Sequence, residues 1–127
     1  MVFEHFALNV ADIDGVVDWY CTHLGLTIDN QQKEAPYMTF LADSTGRVVV
    51  EFYTREDELA EDFSKRHPLT FHVAFVSENA EKDKQRLLLA GASFFEEVFK
   101  DDGSHLVMLR DPWGIPLQLC QRAVKFP

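Results

Sequence analysis

The chain is short of positive charge, of cysteine and of long apolar runs, and each shortage removes a class of function. Twelve Lys and Arg stand against twenty-one Asp and Glu, for a formal charge of −9. No basic stripe is available to neutralise phosphates, which argues against nucleic-acid binding. The two cysteines, Cys21 and Cys120, are far apart and form no CxxC pair, so neither a disulfide framework nor a thiol metal site is indicated. With no signal peptide in view, the same cysteine usage leads us to expect a reducing, cytoplasmic setting. No apolar segment approaches the length of a membrane span, so no membrane partner is expected. No low-complexity segment occurs.

What is present is a repeat. His5 and His72 stand 67 positions apart, and so do Ala7 and Ala74, Glu51 and Gln118, and Arg55 and Arg122. HFALNVADID at 5–14 matches HVAFVSENAE at 72–81 in plan: His, a short valine-ended strand, then an acidic helix start. The 127 residues are expected to form one domain of two similar modules, 1–66 and 67–127. Each module reads as strand, helix and three strands. In the first, strands are expected at 2–10, 26–31, 37–43 and 47–54. Asp12 is a good cap for a helix whose apolar stripe is Ile13, Val16, Val17, Tyr20 and Leu24, and Gly25 closes it. Residues 56–66 read as a short surface helix linking the modules. In the second, strands are expected near 69–76, 93–99, 104–110 and 115–121, with a helix over 78–90.

Side chains alternate between the two faces of a strand. His5, Ala7 and Asn9 then share one face of the first strand, and Thr70, His72 and Ala74 share one face of the fifth. Glu51 with Tyr53, and Gln118 with Cys120, also fall opposite the apolar side of their strands. The helices should cover the apolar faces. His5, Glu51, His72 and Gln118 would then lie together on the uncovered side, as an N₂O₂ set. Such a set suits a divalent ion such as Zn, Ni, Co, Mn or Fe(II) rather than a thiolate-bound structural zinc. Four protein ligands leave room for water or substrate, as in a Lewis-acid catalyst. Glu51 is the anion of the set and so its candidate catalytic base; the Gln118 amide cannot take a proton.

Other side chains carry less. His105 reads as a surface residue near a loop, and His23 as a cation at the end of the first helix. Tyr53, Met38 and Phe40 suit either the core or an apolar pocket. Arg55 and Arg122 suit either solvated strand ends or the anionic tail of a ligand.

The segments HFALNVADID, WYCTHLGL, VVVEFY, FHVAFVSEN and DPWGIPLQL together resemble the vicinal oxygen chelate superfamily, which includes glyoxalase I, bleomycin resistance proteins and extradiol dioxygenases. The resemblance spans essentially the whole chain. It implies an α+β fold in which two βαβββ modules, related by pseudo-two-fold symmetry, form a cup-shaped mixed sheet. It also implies a homodimer. His5, Glu51 and His72 match three metal-ligand positions of glyoxalase I, while Gln118 stands where that enzyme normally has a Glu. Asn9 and Arg55 stand where its usual pattern has Arg and Asn, so the glutathione signature is absent.

Two functions follow as expectations. One is a metal-dependent, glyoxalase-like lyase or isomerase. It would move a proton between adjacent carbons of a small vicinal-oxygen carbonyl substrate, through an enediolate that the metal stabilises. The other is a non-catalytic, drug-sequestering binder of the bleomycin-resistance type, for which the negative charge and eleven Phe residues would suit a cationic planar ligand.

Overall fold

The computed structural model describes residues 1–127. The chain divides into two compact units, Met1–Glu61 and Asp62–Pro127. Each is a βαβββ unit, giving an α+β fold.

In the first unit, β1 (Phe6–Asn9) leads to α1 (Ile13–Leu24), then β2 (Thr27–Gln31), β3 (Thr39–Ala42) and β4 (Val48–Tyr53). The sheet order is β1-β4-β3-β2, with β1 and β4 parallel and the remaining pairs antiparallel. The start of α1 is fixed by Asp12, whose carboxylate accepts from the Gly15 N–H at 3.1 Å. Its end is fixed by Gly25 at φ +71°, a left-handed conformation that costs glycine little. Between them Ile13, Val16, Val17 and Tyr20 are buried, as the stripe predicts. Full burial of each large apolar side chain stabilises the unit by about 1.5–3 kcal/mol. Tyr20 meets Phe52 of β4 edge to face at 5.2 Å, so the Phe52 side of the sheet is the one the helix covers.

In the second unit the elements are β5 (Val73–Val76), α2 (Ala80–Leu89), β6 (Ser93–Phe99), β7 (His105–Arg110) and β8 (Pro116–Gln121), in sheet order β5-β8-β7-β6. Asn79 caps α2 by accepting from Lys82 N at 2.9 Å. The Ala80 N–H donates to Gln121 Oε1 at 2.8 Å and ties the helix start to β8.

The repeat holds at the level of pairing. Ala7 pairs with Glu51 and Ala74 with Gln118, and the other three residue pairs of β1–β4 recur in β5–β8 at the same offset of 67. On the third strand of each unit the offset becomes 68, because Phe40 opposes Glu51 whereas Met108 opposes Gln118.

Three expectations need correction. The linker 56–66 forms only a 3₁₀ turn, Phe63–Lys65. It has no apolar stripe to dock a helix, and its first residues are held by side-chain bonds instead. The first strand of each unit is shorter than expected. His5 and His72 therefore stand one residue ahead of β1 and β5, and Thr70 lies in a turn closed by its N–H to His67 O at 2.8 Å. His105 is not a surface residue: it is 6% exposed.

Candidate functional site

In the first unit, β1 and β4 run parallel, so paired residues share a face. Ala7 and Asn9 lie beside Glu51 and Tyr53, opposite the buried Val50 and Phe52. Phe40 of β3 joins this face through its pairing with Glu51. His5 enters it at the head of β1. Its Nε2 lies 3.1 Å from Glu51 Oε2, its Nδ1 lies 3.1 Å from Glu4 Oε1, and its ring meets Phe40 edge to face at 5.4 Å. The His5 and Glu51 side chains keep 25% and 12% of their exposure, so the pair is accessible yet largely sheltered.

The same face runs into a cavity of about 540 Å³ bordered by Pro36, Met38, Tyr53 and the segment Thr54–Asp57. Of the aromatic and apolar candidates, Tyr53 and Met38 line it. Asn9 organises its wall, accepting from Arg55 N at 2.9 Å and donating from Nδ2 to Glu58 O at 3.1 Å.

In the second unit, Gln118 lies on the face opposite Leu117 and Leu119, both buried under the α2 side of the sheet. Cys120 shares the Gln118 face, and its Sγ–H donates to Gln118 Oε1 at 3.4 Å. Burial pushes the Cys120 thiol up, with Arg122 opposing only in part. A thiol so raised stays protonated at neutral pH and is neither a ready nucleophile nor a thiolate ligand. His72 Nδ1 lies 3.0 Å from the Pro68 carbonyl oxygen. A carbonyl can only accept, so Nδ1 carries the hydrogen; in the neutral ring this leaves Nε2 as the coordinating nitrogen, the tautomer metal-ligating histidines use.

His105 belongs to a different cluster. It lies on the α2 side of β7, where its Nε2 is 2.7 Å from Glu97 Oε2 and its ring stacks on Phe99 at 4.1 Å. Lys84 Nζ reaches Glu81 at 2.7 Å and Glu97 at 3.1 Å. The His105 and Lys84 bonds hold the Glu97 carboxyl below its ordinary range, and Glu81 in turn pushes the Lys84 ammonium up. Donor atoms of Glu81, Glu97 and His105 lie within 4.8 Å of one another, a spacing that could hold a metal ion. The Lys84 ammonium already bridges the two carboxylates and offsets one of their two charges, and an incoming cation would have to displace it. Sequence reading missed this group. Its signal was Lys84, a cation within the buried stripe Ala80, Lys84 and Leu87 of α2.

No helix is long and apolar enough to cross a membrane. No curated protein matches the chain. Solved structures with the same fold include a glyoxalase family protein from Bacillus cereus, with TM-score 0.77 and 14% identity over 95% of this chain and 93% of that one. Lactoylglutathione lyase from Agrobacterium tumefaciens gives TM-score 0.68 and 17% identity over 96% and 94%. A glyoxalase/bleomycin resistance protein from Albidiferax ferrireducens gives 0.66 and 20% over 94% and 98%. A family model matches residues 2–119, and the chain belongs to the Glyoxalase/Bleomycin resistance protein/Dioxygenase superfamily.

Proposed function

We propose that the chain is a metal-dependent, glyoxalase-like lyase or isomerase acting on a small vicinal-oxygen carbonyl compound. Its metal ligands are His5 and Glu51 of the first unit and His72 and Gln118 of the second. The ion is a divalent one of the Zn, Ni, Co, Mn or Fe type. The observation that carries this reading is the 3.1 Å between His5 Nε2 and Glu51 Oε2. Two donors bound to one ion at about 2.1 Å, roughly at right angles, stand about 3 Å apart. The pair therefore suits neighbouring positions in one coordination sphere. The His72 ring, held through Nδ1 by the Pro68 carbonyl, supports the same reading.

When bound, the ion supplies Lewis acidity to the substrate carbonyl. The chain supplies the proton chemistry. Glu51, the one anion of the set, takes a proton from one carbon and returns it to the neighbour. Gln118 contributes an oxygen without charge and leaves that task to Glu51. Phe40 shields one edge of His5 and limits water around the pair. We expect a homodimer, which light scattering would test.

The test is elemental analysis after metal loading and desalting. We expect about one ion per chain, lost in the His5→Ala/His72→Ala double variant. In the loaded protein, Glu51→Gln should abolish turnover of small vicinal-dicarbonyl compounds; unchanged turnover refutes the mechanism. The cavity beside Tyr53 favours a second reading, a binding protein without catalysis. Ligand binding that is tight and indifferent to the double variant would select it.

A further inference from the structure

The cavity of the first unit carries a charge arrangement that selects its ligand. Its volume of about 540 Å³ suits a small molecule. Ala35, Pro36, Met38 and Tyr53 give it apolar walls, and its charged side chains are Arg55, Glu56 and Asp57. Arg55 has the chemistry of an anion receptor, but the Nε/Nη2 edge of its guanidinium is occupied. Nε donates to Asp57 Oδ1 at 2.9 Å and Nη2 donates to Asp57 Oδ2. This two-point match is the one a ligand carboxylate would need.

The clamp is held in place from both sides. Asn9 bonds the backbone at Arg55 and at Glu58, bracketing Asp57. Thr54 N donates to Pro36 O at 2.8 Å and ties this segment to the opposite wall. With Arg55 cancelled by Asp57, Glu56 leaves the lining net negative, and Tyr53 puts an aromatic side chain, a group that attracts cations, in the same wall. We infer that this cavity takes an apolar group bearing positive charge and turns away anionic ones, with Asp57 setting the preference. That the group is the non-reacting end of a substrate rests on the proposed function. The binding preference does not, and holds in metal-free protein.

The Arg55 and Asp57 side chains are 50% and 66% exposed, so the preference is modest, about two- to fivefold at low salt. The experiment titrates metal-free protein with 2-phenylethylammonium and with phenylacetate. The readouts are the Met38 methyl and Tyr53 ring resonances. We expect the ammonium to bind more tightly, and Asp57→Asn to reverse the order by releasing Arg55. Asp57 is exposed, so folding is not at stake; an Arg55→Gln variant should keep the cation preference. Three outcomes overturn the inference: phenylacetate bound as well as the ammonium, an order unchanged in Asp57→Asn, or no response of these resonances to either probe. Because no metal is present, none of them bears on the ligand set of the proposed function.

Discussion

Two adjacent residues of β4 should give opposite responses, because the strand turns one to the core and the other to the candidate site. Phe52 is 1% exposed and packs edge-on against Tyr20 at 5.2 Å. Phe52→Ala removes the ring and leaves a cavity, a change that costs about 3–5 kcal/mol. A domain of this size is stable by about 5–15 kcal/mol in all, so the loss is a large share of it. With a urea slope of about 2 kcal/mol/M, the midpoint should fall by about 2 M. Glu51→Gln is nearly isosteric and keeps a hydrogen-bond acceptor for His5. The pair it weakens is partly solvated, at 25% and 12% side-chain exposure, so the cost should be about 1 kcal/mol or less. Metal retention should show the reverse pattern, impaired by Glu51→Gln. Urea unfolding in a Trp113→Phe background isolates the fluorescence of Trp19, which lies on α1 of the same unit. A Phe52→Ala loss below about 1.5 kcal/mol, or a Glu51→Gln loss as large as that of Phe52→Ala, would refute the assignment of faces.

Three further outcomes are expected. Gly114→Ala should destabilise the second unit by well over about 1 kcal/mol. Gly114 has φ +89°, and a Cβ there would meet Ser64 Cβ at 2.7 Å; Gly103→Ala, at φ +92° with open space around it, should cost less in the same denaturation series. The Glu97 and Glu81 carboxyls are held low, by His105 and by Lys84 respectively, so their contribution is full above the unfolded carboxylate value and lost as pH falls through the folded one. Lys84 is raised by Glu81, so its contribution is full below the unfolded lysine value and lost as pH rises through the folded one. The urea midpoint should therefore decline below about pH 4 and above about pH 10.5, and Lys84→Met should flatten both limbs. Cys120 is 6% exposed with its thiol pushed up by burial, so alkylation at neutral pH should wait for unfolding. Labelling of Cys120 itself at the rate of a free thiol, read in a Cys21→Ser background, would contradict this.

The fold was legible because periodicity and punctuation agreed. The α1 stripe with its Asp12 and Gly25 caps leaves little else for residues 12–25 to do, and residues 93–99 form the strand their pattern predicts. The equal offset of His5/His72 and Glu51/Gln118 anticipated the identical pairing of β1–β4 and β5–β8. Strand starts were less legible, since alternation cannot tell a residue one place outside a ladder from one inside it. His5 and His72 both stand there. The acidic run 56–66 suggests a surface helix, but without an apolar stripe it has nothing to pack and forms only the Phe63–Lys65 turn. His105 was misplaced because a strand period gives two faces but not the residue a neighbouring helix offers. Glu97, across the β6–β7 hairpin, and Lys84, on α2, make burial of that imidazole affordable.

The divergence of the two units bears most directly on chemistry. At one position of a shared ladder, the first unit carries the carboxylate of Glu51 and the second the amide of Gln118. Two residues further along, the first carries Tyr53 at the mouth of a cavity and the second carries Cys120, buried and bonded to Gln118. The shared ladder thus carries different side-chain chemistry in the two units. Glu51 and the cavity beside Tyr53 belong to the first unit; in the second, Glu81 and Glu97 sit on the helix side, both paired with Lys84, and Glu97 is also bonded to His105. A symmetric pair of bases would give each unit its own claim to the proton. On the proposed function, proton transfer therefore falls to Glu51 of the first unit, while His72 and Gln118 of the second can bind but cannot act as an anionic base.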